Sequence, residues 1–150
     1  MLTIMPAPLA PRADAGLAGA LRDAVGRLSR RMRAERAATD VSLGQLAALR
    51  TLDRHGPMTA SELAAHEKVQ PPSMTRILAS LESHGYLSRT PDPIDRRQVV
   101  VAASVAGRAL LTEDRRRKDA WLSRRLRALD ADDIAVLAAA VPVLEKLSRA

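Results

Sequence analysis

The 150-residue sequence contains no cysteine and almost no aromatic residues. The absence of cysteine excludes disulfide bonds and thiol-based redox sensing. Aromatic residues make up 1% of the chain, with Trp121, Tyr86 and no phenylalanine. A hydrophobic core must therefore be built from aliphatic side chains, and because leucine and alanine are strong helix formers, we expect a mostly helical protein.

Long uninterrupted apolar stretches are also missing from the sequence. No segment resembles a membrane span. The apolar start of the chain is broken by Pro6, Pro8 and Pro11, which does not fit a signal peptide. We expect residues 1–14 to be a flexible tail of a cytoplasmic protein and residues 15–150 to form a single domain.

The net charge of +7 favours a polyanionic partner such as nucleic acid. Acidic and basic residues cancel between Met58 and Ser104, so the excess lies around residues 22–36 and 108–127. The net charge alone therefore does not locate a binding site, and it fits a solvated basic surface equally well.

Local sequence signals divide the middle of the chain into short helices. Ser42 with Gln45 and Thr59 with Glu62 each fit the pattern of a capping box, which predicts a helix start. A further helix is expected to begin at Pro71, since proline is tolerated in the first helical turn.

The segment from Thr59 to Gly85 predicts a helix-turn-helix, whose second helix would enter the major groove of DNA. The free amides at the start of this helix are expected to contact phosphate. Lys68 stands where short turns prefer glycine, so we expect a slightly longer turn. The candidate DNA-binding residues of this helix are Gln70, Pro71, Ser73, Met74, Thr75 and Arg76.

A β-hairpin is predicted directly after the helix-turn-helix. Residues 86–90 and 98–102 are β-prone runs, and the segment between them is rich in turn residues. Arg96 and Arg97 at its tip are expected to enter a minor groove, with Asp95 holding one of their guanidinium groups in place. A helix-turn-helix followed by such a hairpin is the winged arrangement, here at about residues 42–104.

The flanking segments, residues 15–38 and 105–150, carry apolar residues at helical spacing. They are expected to form dimerisation helices, because a lone first helix would leave much apolar surface exposed. The last helix contains Pro142, which is expected to kink it. The predicted fold is mostly α with a small β-hairpin wing: a winged helix-turn-helix module plus N- and C-terminal dimerisation helices.

Four segments together resemble the MarR (multiple antibiotic resistance regulator) family of winged helix-turn-helix transcription regulators. They are QPPSMTR at residues 70–76, SHGYL at 83–87, DPIDRR at 92–97 and AGRALL at 106–111. The family's Asp-x-Arg wing motif matches Asp95 and Arg97. A Leu-Thr pair of the family is replaced by Ala103-Ser104, which keeps a hydroxyl cap.

This resemblance implies a sequence-specific double-stranded DNA-binding transcriptional regulator. It implies a homodimer on an inverted-repeat operator, with half-sites about 10 base pairs apart and Arg97 in the minor groove. It also implies a repressor that a small aromatic or anionic effector releases from DNA.

Catalytic constellations are not recognisable in the sequence. There is no clustered metal-ligand spacing and no phosphate loop, so we expect neither an enzyme nor a cofactor or metal site. The alternative function is a basic helical RNA- or protein-binding module, in which the winged helix is only a scaffold. Its binding site would be the basic run Arg115-Arg116-Arg117-Lys118, although such runs usually form a solvated face.

Overall fold

The computed structural model describes residues 15–35 and 41–149. The chain divides into two units, one ending at Glu35 and the other comprising the remainder. The tail predicted at residues 1–14 lies outside the described residues. The predicted single domain over residues 15–150 stays a prediction.

The mostly helical fold with a small antiparallel sheet is confirmed. The first unit contains α1 (Ala15–Ala34). The second contains, in chain order, α2 (Leu43–His55), β1 (Met58–Thr59), α3 (Ala60–Glu67), α4 (Pro71–Ser83), β2 (Leu87–Pro91), β3 (Val99–Ala103), α5 (Val105–Leu126) and α6 (Ala131–Arg149).

The sheet has three strands in the order β1-β3-β2, where the sequence predicted a two-stranded hairpin. β2 and β3 form the predicted antiparallel pair, with Leu87 opposite Ala103. β1 adds to the other side of β3, with Met58 opposite Val101. A two-residue strand is too short to show an alternating pattern, which is why the sequence did not reveal it.

Both predicted capping boxes are present. The amide of Gln45 donates to Ser42 Oγ over 3.2 Å, and the amide of Ser42 donates to the Gln45 side chain over 2.7 Å. Thr59 and Glu62 make the same reciprocal pair at 3.2 and 2.7 Å. Each cap stabilises its helix by about 1 kcal/mol, so α2 and α3 begin where local chemistry dictates.

One aliphatic core joins α2, α3, α4, the sheet and the start of α5. Its members come from each of these elements, which fixes α4 and the sheet relative to each other. Its largest fully buried side chains are Leu46, Leu49, Leu63, Met74, Leu78, Leu81 and Val101.

The polar middle of α5 contains the one charged side chain that is buried among the described residues, Asp114. Its Oδ2 accepts a hydrogen bond from Lys118 Nζ at 2.6 Å and lies 3.8 Å from the guanidinium of Arg50 on α2. Within the described residues its Oδ1 has no partner. The polar segment is therefore packed against α2 through charge.

α6 buries none of its residues within the described part of the chain. The helix continues through Pro142, and the predicted kink stays a prediction. Its exposed apolar side chains are Ile134, Val136, Leu137, Val141, Val143, Leu144 and Leu147. An apolar surface of this extent needs a covering partner.

α4, β2 and α5 meet at a close backbone contact, which we call the α4–β2–α5 junction and define by Gly85, Tyr86, Ser104 and Gly107. The amide of Ser104 donates to Tyr86 O over 3.0 Å, and its hydroxyl donates to Gly85 O over 2.6 Å. A Cβ atom on Gly107 would lie 2.2 Å from Tyr86 O. Only glycine therefore allows α5 to approach this closely.

We expect Gly107→Ala to destabilise the fold by about 1–3 kcal/mol, because the methyl group would force the Tyr86 backbone and α5 apart. Urea unfolding followed by circular dichroism measures this. Gly44→Ala is the matched control: its Cβ would lie 3.7 Å from Ile77 in ordinary contact, so stability should stay the same or rise. Equal stabilities of the two variants would contradict the close contact.

Candidate nucleic-acid interface

The turn between α3 and α4 is short, and Lys68 itself makes it possible. Lys68 adopts a left-handed conformation, with φ 52° and ψ 42°. The amide of the next residue, Val69, donates to Ala64 O over 3.1 Å. The expectation of a longer turn is therefore wrong: lysine takes the conformation that glycine usually supplies, at a cost of about 1–2 kcal/mol.

α4 begins with two prolines, which changes what its N-terminus offers to DNA. Pro71 and Pro72 occupy the first two helical positions and carry no N–H. The amide of Met74 already donates to Gln70 O over 3.1 Å. The four amides that usually end free at a helix start are those of the N-cap and the first three helical residues, here residues 70–73. The two prolines remove two of these four, so the expected row of phosphate-binding amides is interrupted.

The two sides of α4 have opposite surroundings. Met74, Leu78 and Leu81 are buried in the core. Met74 is only 1% exposed, so its assignment as a DNA-contacting residue is wrong, since helical periodicity turns it away from the surface. The other candidates on this element are exposed: Gln70, Pro71, Ser73, Thr75 and Arg76.

The side of α4 opposite the core, here called the outward face, is formed by Pro72, Arg76, Ala79 and Ser83. All four residues are exposed, and their spacing places them along one line of the helix. Sequence analysis missed Pro72. The signal was available, because Pro72 lies four residues before the candidate Arg76.

The wing loop, residues 92–98, is ordered by its own side chains. Asp92 Oδ1 accepts from the amides of Ile94 at 2.7 Å and Asp95 at 3.2 Å. Asp95 Oδ1 accepts from the amide of Arg97 at 3.1 Å. Within the described residues Asp95 makes no ion pair with either wing arginine, so the expectation that it holds a guanidinium is wrong. Asp95 instead fixes the backbone that presents Arg97.

The tip of the wing carries exposed cationic and apolar side chains. Arg96 and Arg97 are exposed, and the neighbouring Ile94 is 97% exposed. At the base of the wing, Arg89 Nε donates to Glu82 Oε2 on α4 over 2.8 Å. This ion pair adds a direct link between the wing and α4.

No group of three or more His, Cys, Asp or Glu side chains among the described residues is placed to hold a metal ion. No described helix combines the length and apolarity needed to cross a membrane.

Comparisons with known proteins agree with this geometry. The sequence model of the MarR family matches residues 41–99. A Mycobacterium bovis protein named as an HTH-type transcriptional regulator is 45% identical over 131 residues, covering 87% of this chain and 92% of its own.

Solved structures have the same fold. A transcriptional regulator protein from Pseudomonas aeruginosa has a TM-score of 0.84 and 37% identity, covering 94% of this chain and 99% of its own. A Bordetella bronchiseptica protein, whose DNA binding is regulated by 6-hydroxynicotinic acid, has a TM-score of 0.60 and 21% identity, covering 96% and 99%. The chain belongs to the MarR family and is a helix-turn-helix transcriptional regulator.

Proposed function

We propose that this regulator acts as a homodimer that binds an inverted-repeat operator in the cytoplasm and represses transcription. In each protomer α4 would enter the major groove and the wing tip an adjacent minor groove. The observation that carries this proposal is that one compact unit exposes two elements whose size fits the grooves of DNA. The outward face of α4 and the arginine-bearing wing loop are joined by the core and by the Glu82–Arg89 ion pair.

The apolar surfaces of the two terminal helices, α1 and α6, support the dimer. α6 exposes apolar side chains on much of its circumference, with Leu137 45% and Val141 54% exposed. α1 exposes Leu17, Val25 and Leu28 at helical spacing. Two copies of the chain would cover such surfaces, and a two-fold axis between them would impose an inverted repeat on the operator.

The exposed candidates divide by chemistry. Gln70 and Ser73 carry polar groups suited to phosphate oxygens, which position a protein without reading sequence, whereas the Thr75 hydroxyl donates to Pro71 O over 3.0 Å. Arg76 on the outward face has the reach for a guanine edge. Arg96 and Arg97 suit the negative potential of a narrow minor groove.

Small-molecule control is the second part of the proposal. A surface depression on α2 and α3 includes Arg50 and Arg54, whose guanidinium groups suit an anionic ligand. Arg50 also approaches Asp114 on α5, and α5 starts at the junction where α4 ends. An anion that draws Arg50 away from Asp114 would thus disturb the packing of α5 and, through the α4–β2–α5 junction, the position of α4. The proposed activity is ligand-controlled binding and not catalysis, in keeping with relatives named as transcriptional regulators.

The alternative site, the basic run on α5, is largely occupied by intramolecular pairs. Arg116 and Arg117 donate to Glu113 over 2.8 to 2.9 Å. These hydrogen bonds lower the pKa of Glu113 from 4.5 to about 2, and the bond from Arg116 has the largest effect. Lys118 donates to Asp114. The run therefore behaves mainly as a self-paired helix surface, which favours the winged helix as the nucleic-acid site.

Arg97→Ala should weaken binding to a selected operator about tenfold or more, because a charged hydrogen bond contributes about 1.5–3 kcal/mol. Arg115→Ala is the matched control, since it also removes one exposed arginine and should leave affinity nearly unchanged. Fluorescence anisotropy with duplex DNA at constant salt measures both. Loss of binding in Arg115→Ala with full binding in Arg97→Ala would support the alternative site instead.

Asp95→Ala should bind the operator about fivefold more weakly than Asp95→Asn, because only asparagine keeps an oxygen that accepts the Arg97 amide, a bond of about 1 kcal/mol. Both substitutions remove the same negative charge, so their difference isolates the hydrogen bond. The same anisotropy measurement gives this ratio. Equal affinities of the two variants would mean that Asp95 acts through its charge and not through the backbone.

A further inference from the structure

The second proline of α4 is unfavourable for the helix that contains it. Pro71 already supplies the fixed φ angle that helps a helix to begin. Pro72 adds a penalty, because a proline disfavours the helical conformation of the residue before it, and Pro71 is already helical. Pro72 also removes an N–H that could have bound phosphate.

Pro72 is nevertheless exposed, on the side of α4 that faces away from the core. It lies one helical turn before Arg76 on the outward face, and the small residue Ala79 follows Arg76 on the same face. Its pyrrolidine ring is apolar and nearly rigid. A rigid apolar group beside an arginine on a surface that enters DNA fits an apolar feature of the major groove.

The major groove offers one apolar feature at a base edge, the C5-methyl group of thymine. Phosphate oxygens and the donors and acceptors of the base edges are polar, so a ring with no donor gains no hydrogen bond from them. We propose that Pro72 contacts a thymine methyl group in each half-site and so contributes to operator specificity. This inference rests on the proposed binding of duplex DNA through α4.

The position of this thymine relative to the Arg76 contact follows from helix geometry. One helical turn rises about 5.4 Å, and neighbouring base pairs are about 3.4 Å apart. A helix lying along the groove would therefore place the thymine one or two base pairs from the guanine or phosphate that Arg76 contacts. The two half-sites of an inverted repeat would carry it symmetrically.

The test replaces thymine by deoxyuridine, which removes only the methyl group. An operator is first selected from random duplexes with the full-length protein, and each thymine pair is then replaced in turn. For the wild-type protein, one symmetric pair should lower affinity about fourfold per half-site. This corresponds to about 0.8 kcal/mol for one buried methyl group.

Pro72→Ala should bind thymine and uracil operators equally well. Pro57→Ala is the matched control: it removes an exposed proline that lies outside α4 and the wing and should keep the fourfold discrimination. A half-site without thymine, no uracil-sensitive position, or unchanged discrimination in Pro72→Ala would each overturn the inference while DNA binding itself persists. Failure to select any duplex would overturn the proposed function instead.

Discussion

The close approach of α5 to the Tyr86 backbone is the constraint on which the DNA-binding unit depends. Three elements share this one contact: the amide of Tyr86 closes the end of α4 by donating to Leu81 O, its carbonyl accepts from Ser104, and Gly107 lies against it. The contact is possible because Gly107 has only a hydrogen atom in place of a side chain. This contact determines the orientation of α5 relative to α4 and the wing.

The consequence for function is that α4 and the wing, the two proposed DNA-contacting elements, are directly linked. The wing begins at β2, immediately after the junction, and Arg89 on β2 is tied back to Glu82 on α4. A displacement of α5 would therefore move the end of α4 and the start of the wing together. This gives the proposed effector a physical route to DNA affinity, through the contact between Arg50 on α2 and Asp114 on α5.

Features governed by local chemistry could be predicted from the sequence, and features governed by distant contacts could not. The capping boxes and the wing hairpin depend on residues close together in the chain, and both predictions are confirmed. Asp114 is buried where α5 meets α2, which is far away in sequence and brings Arg50 to within 3.8 Å of its carboxylate. Lys68 adopts a conformation against its own preference because α3 and α4 must meet. Asp95 could bond either a side chain or a backbone amide, and only the geometry of the loop decides between them.

Dimethyl sulfate footprinting reports on both proposed contacts at once, because the reagent methylates guanine N7 in the major groove and adenine N3 in the minor groove. With the protein bound to a selected duplex, we expect protected guanines in two inverted half-sites about 10 base pairs apart and protected adenines beside them. Protection in only one groove, or protections without two-fold symmetry, would contradict a dimer that reads DNA with α4 and the wing together.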